Sequence, residues 1–137
     1  MRLYDIYGRL VNKNVSRYLI DWNGKSRSIL QFKTKKFLKT YWKNYIVFEE
    51  FPVFSSLLKV DILNASLKIA IEVNGPQHDG FHYFHNNNPT NYLNSIKRDI
   101  TKINWLEKNN FKVIEIKYNE VENLSREFFK EKFNVIL

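Results

Sequence analysis

The chain predicts a mixed α/β domain, and three observations carry that prediction. Strand-sized apolar runs alternate with two longer segments of helical period. Turn signals at Asn23-Gly24, Asn74-Gly75-Pro76 and Asn109-Asn110 separate them. A length of 137 residues, 44% hydrophobic and 16% aromatic, is one domain's worth and enough to bury a core.

Leu3–Tyr7 and Arg17–Trp22 read as two short strands, an N-terminal hairpin-like extension with a polar link containing Asn12, Lys13 and Asn14. A helix then starts with Ser26 or Ser28 as N-cap, its apolar positions Leu30, Phe37, Leu38, Tyr41, Trp42 and Tyr45 recurring at helical spacing. Ile46–Val53 is a strand whose Pro52 suits an edge or a strand end. Glu49 and Glu50 are adjacent there, so they are expected on opposite faces, with at most one reaching a given site.

Residues 60–73 form an apolar hairpin folded back over the four residues Ala65 to Lys68. A loop rich in Asn, His and aromatics covers 79–91. A second helix spans about Asn91–Asn109, Phe111–Lys117 is a strand, and Val121–Phe133 is a short terminal helix. The order is strand pair, helix, three strands, helix, strand, helix, with no internal repeat and no low-complexity segment.

With no cysteine there are no disulfides and no thiolate zinc site, which fits a reducing compartment. The longest apolar stretches are strand-sized and broken by charges, so no membrane span or secretory signal is visible and a cytoplasmic location is expected. Charge is placed unevenly. Residues 1–60 hold 12 Lys and Arg against 4 Asp and Glu, while residues 61–137 hold 10 of each. A basic flank beside an acidic hairpin suits a polyanion, although basic domains also serve solubility. On the first helix Lys33, Lys35, Lys36, Lys39 and Lys43 crowd the surface without an acid among them, which favours phosphate contact over a merely solvated face.

In the hairpin, Ile62 opposes Ile71 and Val60 opposes Val73 on one face, while Asp61 opposes Glu72 and Leu63 opposes Ala70 on the other. Opposed side chains stand about 4.5–5.5 Å apart at Cβ, and like charges there repel. Either one acid stays protonated, or a cation sits between them; the alternative is a slipped register with one acid in solvent. Carboxylate oxygens suit Mg²⁺, Ca²⁺ or Mn²⁺.

On the second helix Tyr92, Leu93, Ile96, Ile100, Ile103 and Leu106 fill one arc, and Asp99 lies inside it. An acid there is costly unless paired or metal-bound, so it is either an edge acid bridged to Lys102 or Arg98 or a functional group. Trp105 falls opposite, exposed or covered by the terminal strands. His78, His82 and His85 follow the hairpin closely; one as a proton carrier is a candidate role, packing against nearby aromatics the other.

The stretch Val60-Asp61, then Glu72-Val-Asn-Gly-Pro-Gln-His78, then Asp99-Ile-Thr-Lys102, Asn110-Phe111 and Val113-Ile-Glu-Ile116 resembles the PD-(D/E)XK nuclease superfamily. It is most similar to the branch of very-short-patch-repair-like and phage-encoded homing-type endonucleases. Ser28-Ile-Leu-Gln31 and Phe37-Leu38 are similar to that branch's first core helix, so the resemblance covers about residues 26–118, with 1–25 an N-terminal extension and 119–137 a C-terminal helical segment.

The resemblance implies a central mixed sheet flanked by helices and Mg²⁺- or Mn²⁺-dependent hydrolysis of double-stranded DNA. Asp61 matches the metal-binding aspartate and Glu72 the second acid. The motif lysine two residues after Glu72 is replaced by Asn74, leaving its role to Gln77, Lys102 or His78. The first-helix acid is replaced by Gln31, leaving Glu50 or Glu49 as substitute. His78 and Asp99 match the branch's histidine and late aspartate, so Asp99 would orient His78 or bind metal. The RNA-associated RAP-type domain has a similar Glu-Val-Asp-Gly-Pro-x-His run, which keeps a catalytically degenerate nucleic-acid-binding module as the alternative reading. A further rival is an assembly subunit joined through the aromatic N-terminal strands. So small a domain covers only a modest site alone, so a homodimer is a natural arrangement, with residues 1–25 as DNA or dimer contact.

Overall fold

From the first long helix onward, strands and helices succeed one another in the expected order in the computed structural model, which describes residues 1–75 and 89–137. Before it, the second strand falls at Leu10–Asn12, running into the expected polar link, and not at 17–22. Strands β1 (Arg2–Tyr4) and β2 (Leu10–Asn12) pair antiparallel as a separate hairpin. Helix α1 (Ile29–Trp42) leads to β3 (Val47–Pro52), β4 (Lys59–Asn64) and β5 (Ile69–Asn74). Helix α2 (Pro89–Lys108), β6 (Lys112–Lys117) and α3 (Arg126–Phe133) complete the chain. The four-stranded sheet has the order β3-β4-β5-β6, antiparallel except for the parallel β5–β6 pair. Parallel neighbours need a long crossover, and α2 lies within it. Among the described residues no helix is long and apolar enough to cross a membrane.

Local chemistry sets the boundaries. Ser28 caps α1 by accepting the Gln31 N–H at 3.1 Å, and Ser125 caps α3 by accepting the Phe128 N–H at 3.0 Å. Because of that second cap, the expected helix over 121–133 is split into a 3₁₀ turn, Val121–Asn123, and α3. Asn110 takes φ 66° directly after α2, the left-handed stop that asparagine tolerates. The first strand ends at Tyr4 rather than Tyr7, because Asp5 Oδ1 accepts the N–H groups of both Tyr7 and Arg9 at 2.9 Å and winds the chain into a turn completed by Gly8 at φ 83°. The expected strand over 17–22 does not form either. Asn14 Oδ1 accepts from the Ser16 N–H and hydroxyl, drawing Ser16–Tyr18 into a 3₁₀ turn. Only Leu19 then bridges the β3 edge, opposite Phe48, with Ile20 N–H donating to Val47 O at 3.0 Å.

Each face of the sheet carries its own core. Leu38 and Trp42 of α1 and Phe129 of α3 pack with Ile62, Ile71, Ile114 and Ile116. Trp105 and Leu106 of α2 pack with Phe48, Phe51, Leu63 and Ala70, and Leu3 and Val15 join them. The inward stripe of α2 is therefore rotated from the expected arc. Leu93 and Ile100 are 53% and 52% exposed, whereas Trp105 is 2% exposed. The N-terminal hairpin is the reason: Trp105 Nε1 donates to Tyr4 O at 2.6 Å, and Asn109 exchanges hydrogen bonds with the Tyr4 backbone. The hairpin thus roofs a helix face that would otherwise meet solvent.

Candidate active site

The β4–β5 hairpin has the expected register, with Ile62 opposite Ile71, Leu63 opposite Ala70 and the loop at 65–68. Backbone pairing of the two strands runs from Asn64 to Ile62 and stops there. At the next position the carboxylates replace the ladder. Glu72 Oε2 accepts the Asp61 N–H at 3.0 Å, and Asp61 Oδ2 accepts the Val73 N–H at 2.8 Å. The strands part at this point, which corrects one expectation: Val60 packs in the core under α2, while Val73 packs in the core under α1.

Both acids are nearly closed off from solvent, Asp61 at 5% and Glu72 at 7% exposure. Burial, reinforced by the charge of Asp61, pushes the Glu72 carboxyl from 4.5 up to about 7, against the lowering pull of Lys102. The remaining oxygen of each acid meets a cation. Lys102 of α2 pairs with Glu72 Oε1, and Arg27 Nη2 lies 3.2 Å from Asp61 Oδ1. Arg27 was not marked by the sequence. It sits in the loop just before the Ser28 cap, where no periodicity singles out a residue, and only its basic character beside a helix start was visible.

Glu49 and Glu50 depart from strand alternation. Glu50 has φ 53°, a left-handed value that a non-glycine residue adopts at a cost of about 1–3 kcal/mol. This twist turns both carboxylates toward α1. Gln31 Nε2 donates to Glu49 Oε2 at 2.9 Å and to Glu50 Oε1 at 3.1 Å, so the two acids do reach one site, contrary to expectation. Arg27 Nε is 3.4 Å from Glu50 Oε1, and the same guanidinium therefore joins Glu50 of β3 to Asp61 of the neighbouring β4. Gln31 is fully buried, and its Oε1 has no hydrogen-bond partner.

The four α1 lysines and Lys43, which caps the helix end, do not form one surface. Lys35 is wholly buried; its ammonium donates to Asp21 O and Gly24 O at 2.9 Å and to Glu49 Oε1 at 3.1 Å. Its expected role in DNA contact is thereby corrected: it ties the 21–25 loop to the core. Lys33 pairs with Glu122, and Lys39 Nζ donates to Asn23 Oδ1 at 2.7 Å. Lys36 and Lys43 are exposed and border, with Lys39, Phe32 and Trp22, a hollow of about 470 Å³.

Asp99 is half-buried on α2, one turn before Lys102. Gln77, His78, His82 and His85 lie outside the described residues. Among the described residues no three His, Cys, Asp or Glu side chains converge on a ready-made metal cage. The donor chemistry still suits a hard ion. Among the described residues no backbone N–H engages Asp61 Oδ1 or Glu72 Oε1, and Mg²⁺ commonly takes one or two carboxylates and completes its shell with water and phosphate oxygens.

No protein-family model matches the chain, and neither a curated protein nor a solved structure does.

Proposed function

We propose that the chain is a metal-dependent endonuclease of the PD-(D/E)XK type that hydrolyses phosphodiester bonds of double-stranded DNA. One observation carries the reading: Asp61 and Glu72 interrupt their own β-ladder, each accepting a backbone N–H across the strands while turning its other oxygen to a cation. A sheet that gives up backbone pairing to hold two buried acids together needs a reason beyond folding, since like charges placed there oppose it.

Asp61 Oδ1 and Glu72 Oε1 would hold Mg²⁺ or Mn²⁺. When bound, such an ion polarises a phosphate oxygen and lowers the pKa of a coordinated water. The backbone N–H bonds fix both carboxylates in orientation, so the acids themselves need no reorientation to receive an ion. Lys102 stands beside Glu72 as the motif lysine would, from a different element, and is the residue placed to steady negative charge on a reacting phosphate. Asp99 and His78 are assigned supporting roles, Asp99 orienting His78 or adding a metal ligand. Lys36 and Lys43 supply exposed positive charge for the backbone of the duplex.

The test is nicking of supercoiled DNA with Mg²⁺ or Mn²⁺ against a chelated control. Asp61→Asn and Glu72→Gln should each abolish nicking without abolishing DNA binding. Undiminished cleavage by either variant would remove this site from the chemistry. A second reading, a nucleic-acid-binding module without catalysis, is favoured by the two ion pairs that neutralise both acids without a metal. It requires wild-type protein that binds DNA and never cuts it.

A further inference from the structure

Among the described residues three cations touch the acidic cluster, and they differ in access. Lys35 is sealed in the core, and the Lys102 side chain is 16% exposed. The Arg27 side chain is 62% exposed while contacting Asp61, whose side chain is only 6% exposed. Arg27 therefore covers the acids from the solvent side, the side from which an ion and a phosphodiester must arrive. Its guanidinium uses two different nitrogens, Nη2 toward Asp61 Oδ1 at 3.2 Å and Nε toward Glu50 Oε1 at 3.4 Å. Asp61 Oδ1 is the oxygen that no backbone N–H of the described residues engages and hence the one a metal would take. Arginine and metal cannot both hold it closely.

The loop around Arg27 leaves somewhere else to go. A hollow of about 560 Å³ adjoins it, lined by Lys25, Ser26, Ser28, Ile29 and Phe32 together with Arg27 itself. Lys25 and the Ser28 hydroxyl, which accepts the Gln31 N–H and keeps its own proton to donate, suit phosphate oxygens, whereas the Ser26 hydroxyl already donates to Glu49 Oε2 at 2.6 Å. A planar guanidinium matches a phosphate with two parallel bonds. Arg27 itself is largely in solvent and held loosely, and the buried Asp61 is not left uncompensated when it leaves, because the arriving ion replaces the guanidinium as counter-charge.

We infer that Arg27 works at two stations. Without a divalent ion it caps Asp61 and Glu50; when the ion takes Asp61, Arg27 is displaced into the adjoining hollow and binds a phosphate of the incoming strand. This rests on the nuclease reading, and it adds an opposition of sign: the same residue weakens metal binding and strengthens DNA cleavage.

The experiment measures Mn²⁺ binding to the full chain without DNA, by the decrease of the free-ion paramagnetic resonance signal, and single-turnover DNA cleavage at saturating Mn²⁺. Arg27→Gln should tighten Mn²⁺ binding by roughly threefold to tenfold, the scale of relieving two weak ion pairs. The same variant should cleave at least about tenfold more slowly, as expected when a charge-assisted hydrogen bond to phosphate is removed. Arg27→Lys keeps the charge, so its Mn²⁺ affinity should stay at the wild-type value while its cleavage falls. Unchanged or weaker Mn²⁺ binding in Arg27→Gln overturns the first station, as does equal tightening in Arg27→Lys. Undiminished cleavage in Arg27→Gln overturns the second. If the wild type binds Mn²⁺ and cuts DNA while Arg27→Gln changes neither, only this inference falls; if the wild type binds no Mn²⁺, the nuclease reading falls with it.

Discussion

The Lys35 ammonium lies 3.1 Å from Glu49 Oε1 with no solvent exposure, in the middle of a helix whose other lysines reach the surface or its margin. The pair locks α1, β3 and the 21–25 loop together, since the same ammonium also bonds Asp21 O and Gly24 O. Lys35→Met should therefore destabilise the fold by about 3 kcal/mol, the lower range for breaking a buried ion pair. Denaturant unfolding measures this, and a loss below about 1 kcal/mol would show that the loop relaxes without its clamp. DNA affinity per folded molecule should keep its salt dependence.

Lys36 and Lys43 should behave in the opposite way. Both are exposed, so replacing them with Gln should leave the melting temperature nearly unchanged. For every phosphate that a removed lysine had neutralised, the slope of log K against log salt should flatten by about 0.9 on duplex DNA. A slope identical to the wild type in the double variant would place the DNA on another face.

Glu72 makes stability depend on pH with an unusual sign. Its carboxyl is raised by burial and by Asp61 from 4.5 to about 7, so between these values the folded chain holds a proton that the unfolded chain has released. Stability from this group is full below about pH 4.5, declines as pH rises toward about 7, and remains lost above it. In chelator, urea unfolding should show the wild type losing stability between about pH 5 and 8 relative to Glu72→Gln. Millimolar Mg²⁺ at about pH 8 should narrow the gap by ligating the ionised pair. Parallel pH profiles in chelator would mean that Glu72 titrates normally.

Asp5 has the opposite sign. Burial alone would raise its carboxyl, but hydrogen bonds from the Arg9 backbone, the Ser55 hydroxyl, the Arg9 guanidinium and the Tyr7 N–H together lower it from 3.8 to about 2. Its contribution is complete above about pH 4 and disappears as pH falls through about 2. Asp5→Asn should therefore be less stable than the wild type at neutral pH, with the difference shrinking in acid. A difference that persists unchanged at about pH 2 would trace the loss to geometry rather than charge.

Local signals made much of this molecule legible. The hairpin loop, the Ser28 cap and the Asn109-Asn110 stop each depend on residues near in sequence, and the structure has them where periodicity and turn chemistry place them. Asp61 and Glu72 also come together, but through side chain-to-backbone bonds past the end of the ladder and not as a ladder pair. What escaped depends on partners far along the chain or on a single unusual dihedral. Lys35 resembles its neighbours in sequence because nothing local reveals that carbonyls at 21 and 24 wait beneath it. Of the two readings open for Trp105, exposed or covered by the terminal strands, the second holds, and it is Tyr4, far along the chain, that decides it. Glu49 and Glu50 converge only because position 50 leaves the strand conformation. Arg27 joins the site through a loop, where no period operates.

The bond from Trp105 to Tyr4 spans 101 positions of sequence. Closing so long a loop costs chain entropy before any contact repays it, and folding slows as the average separation of contacting residues grows. β1 and β2 leave the ribosome early yet have no helix to dock against until α2 has followed them. Until then Leu3, which the folded chain buries, and Met1, Ile6 and Val11, which it partly buries, have no core to pack against. The hairpin that roofs this domain precedes in sequence the helix it covers, and the indole of Trp105, bonded to Tyr4 on one side and packed on Phe51 and Phe54 on the other, is the optical reporter of that closure.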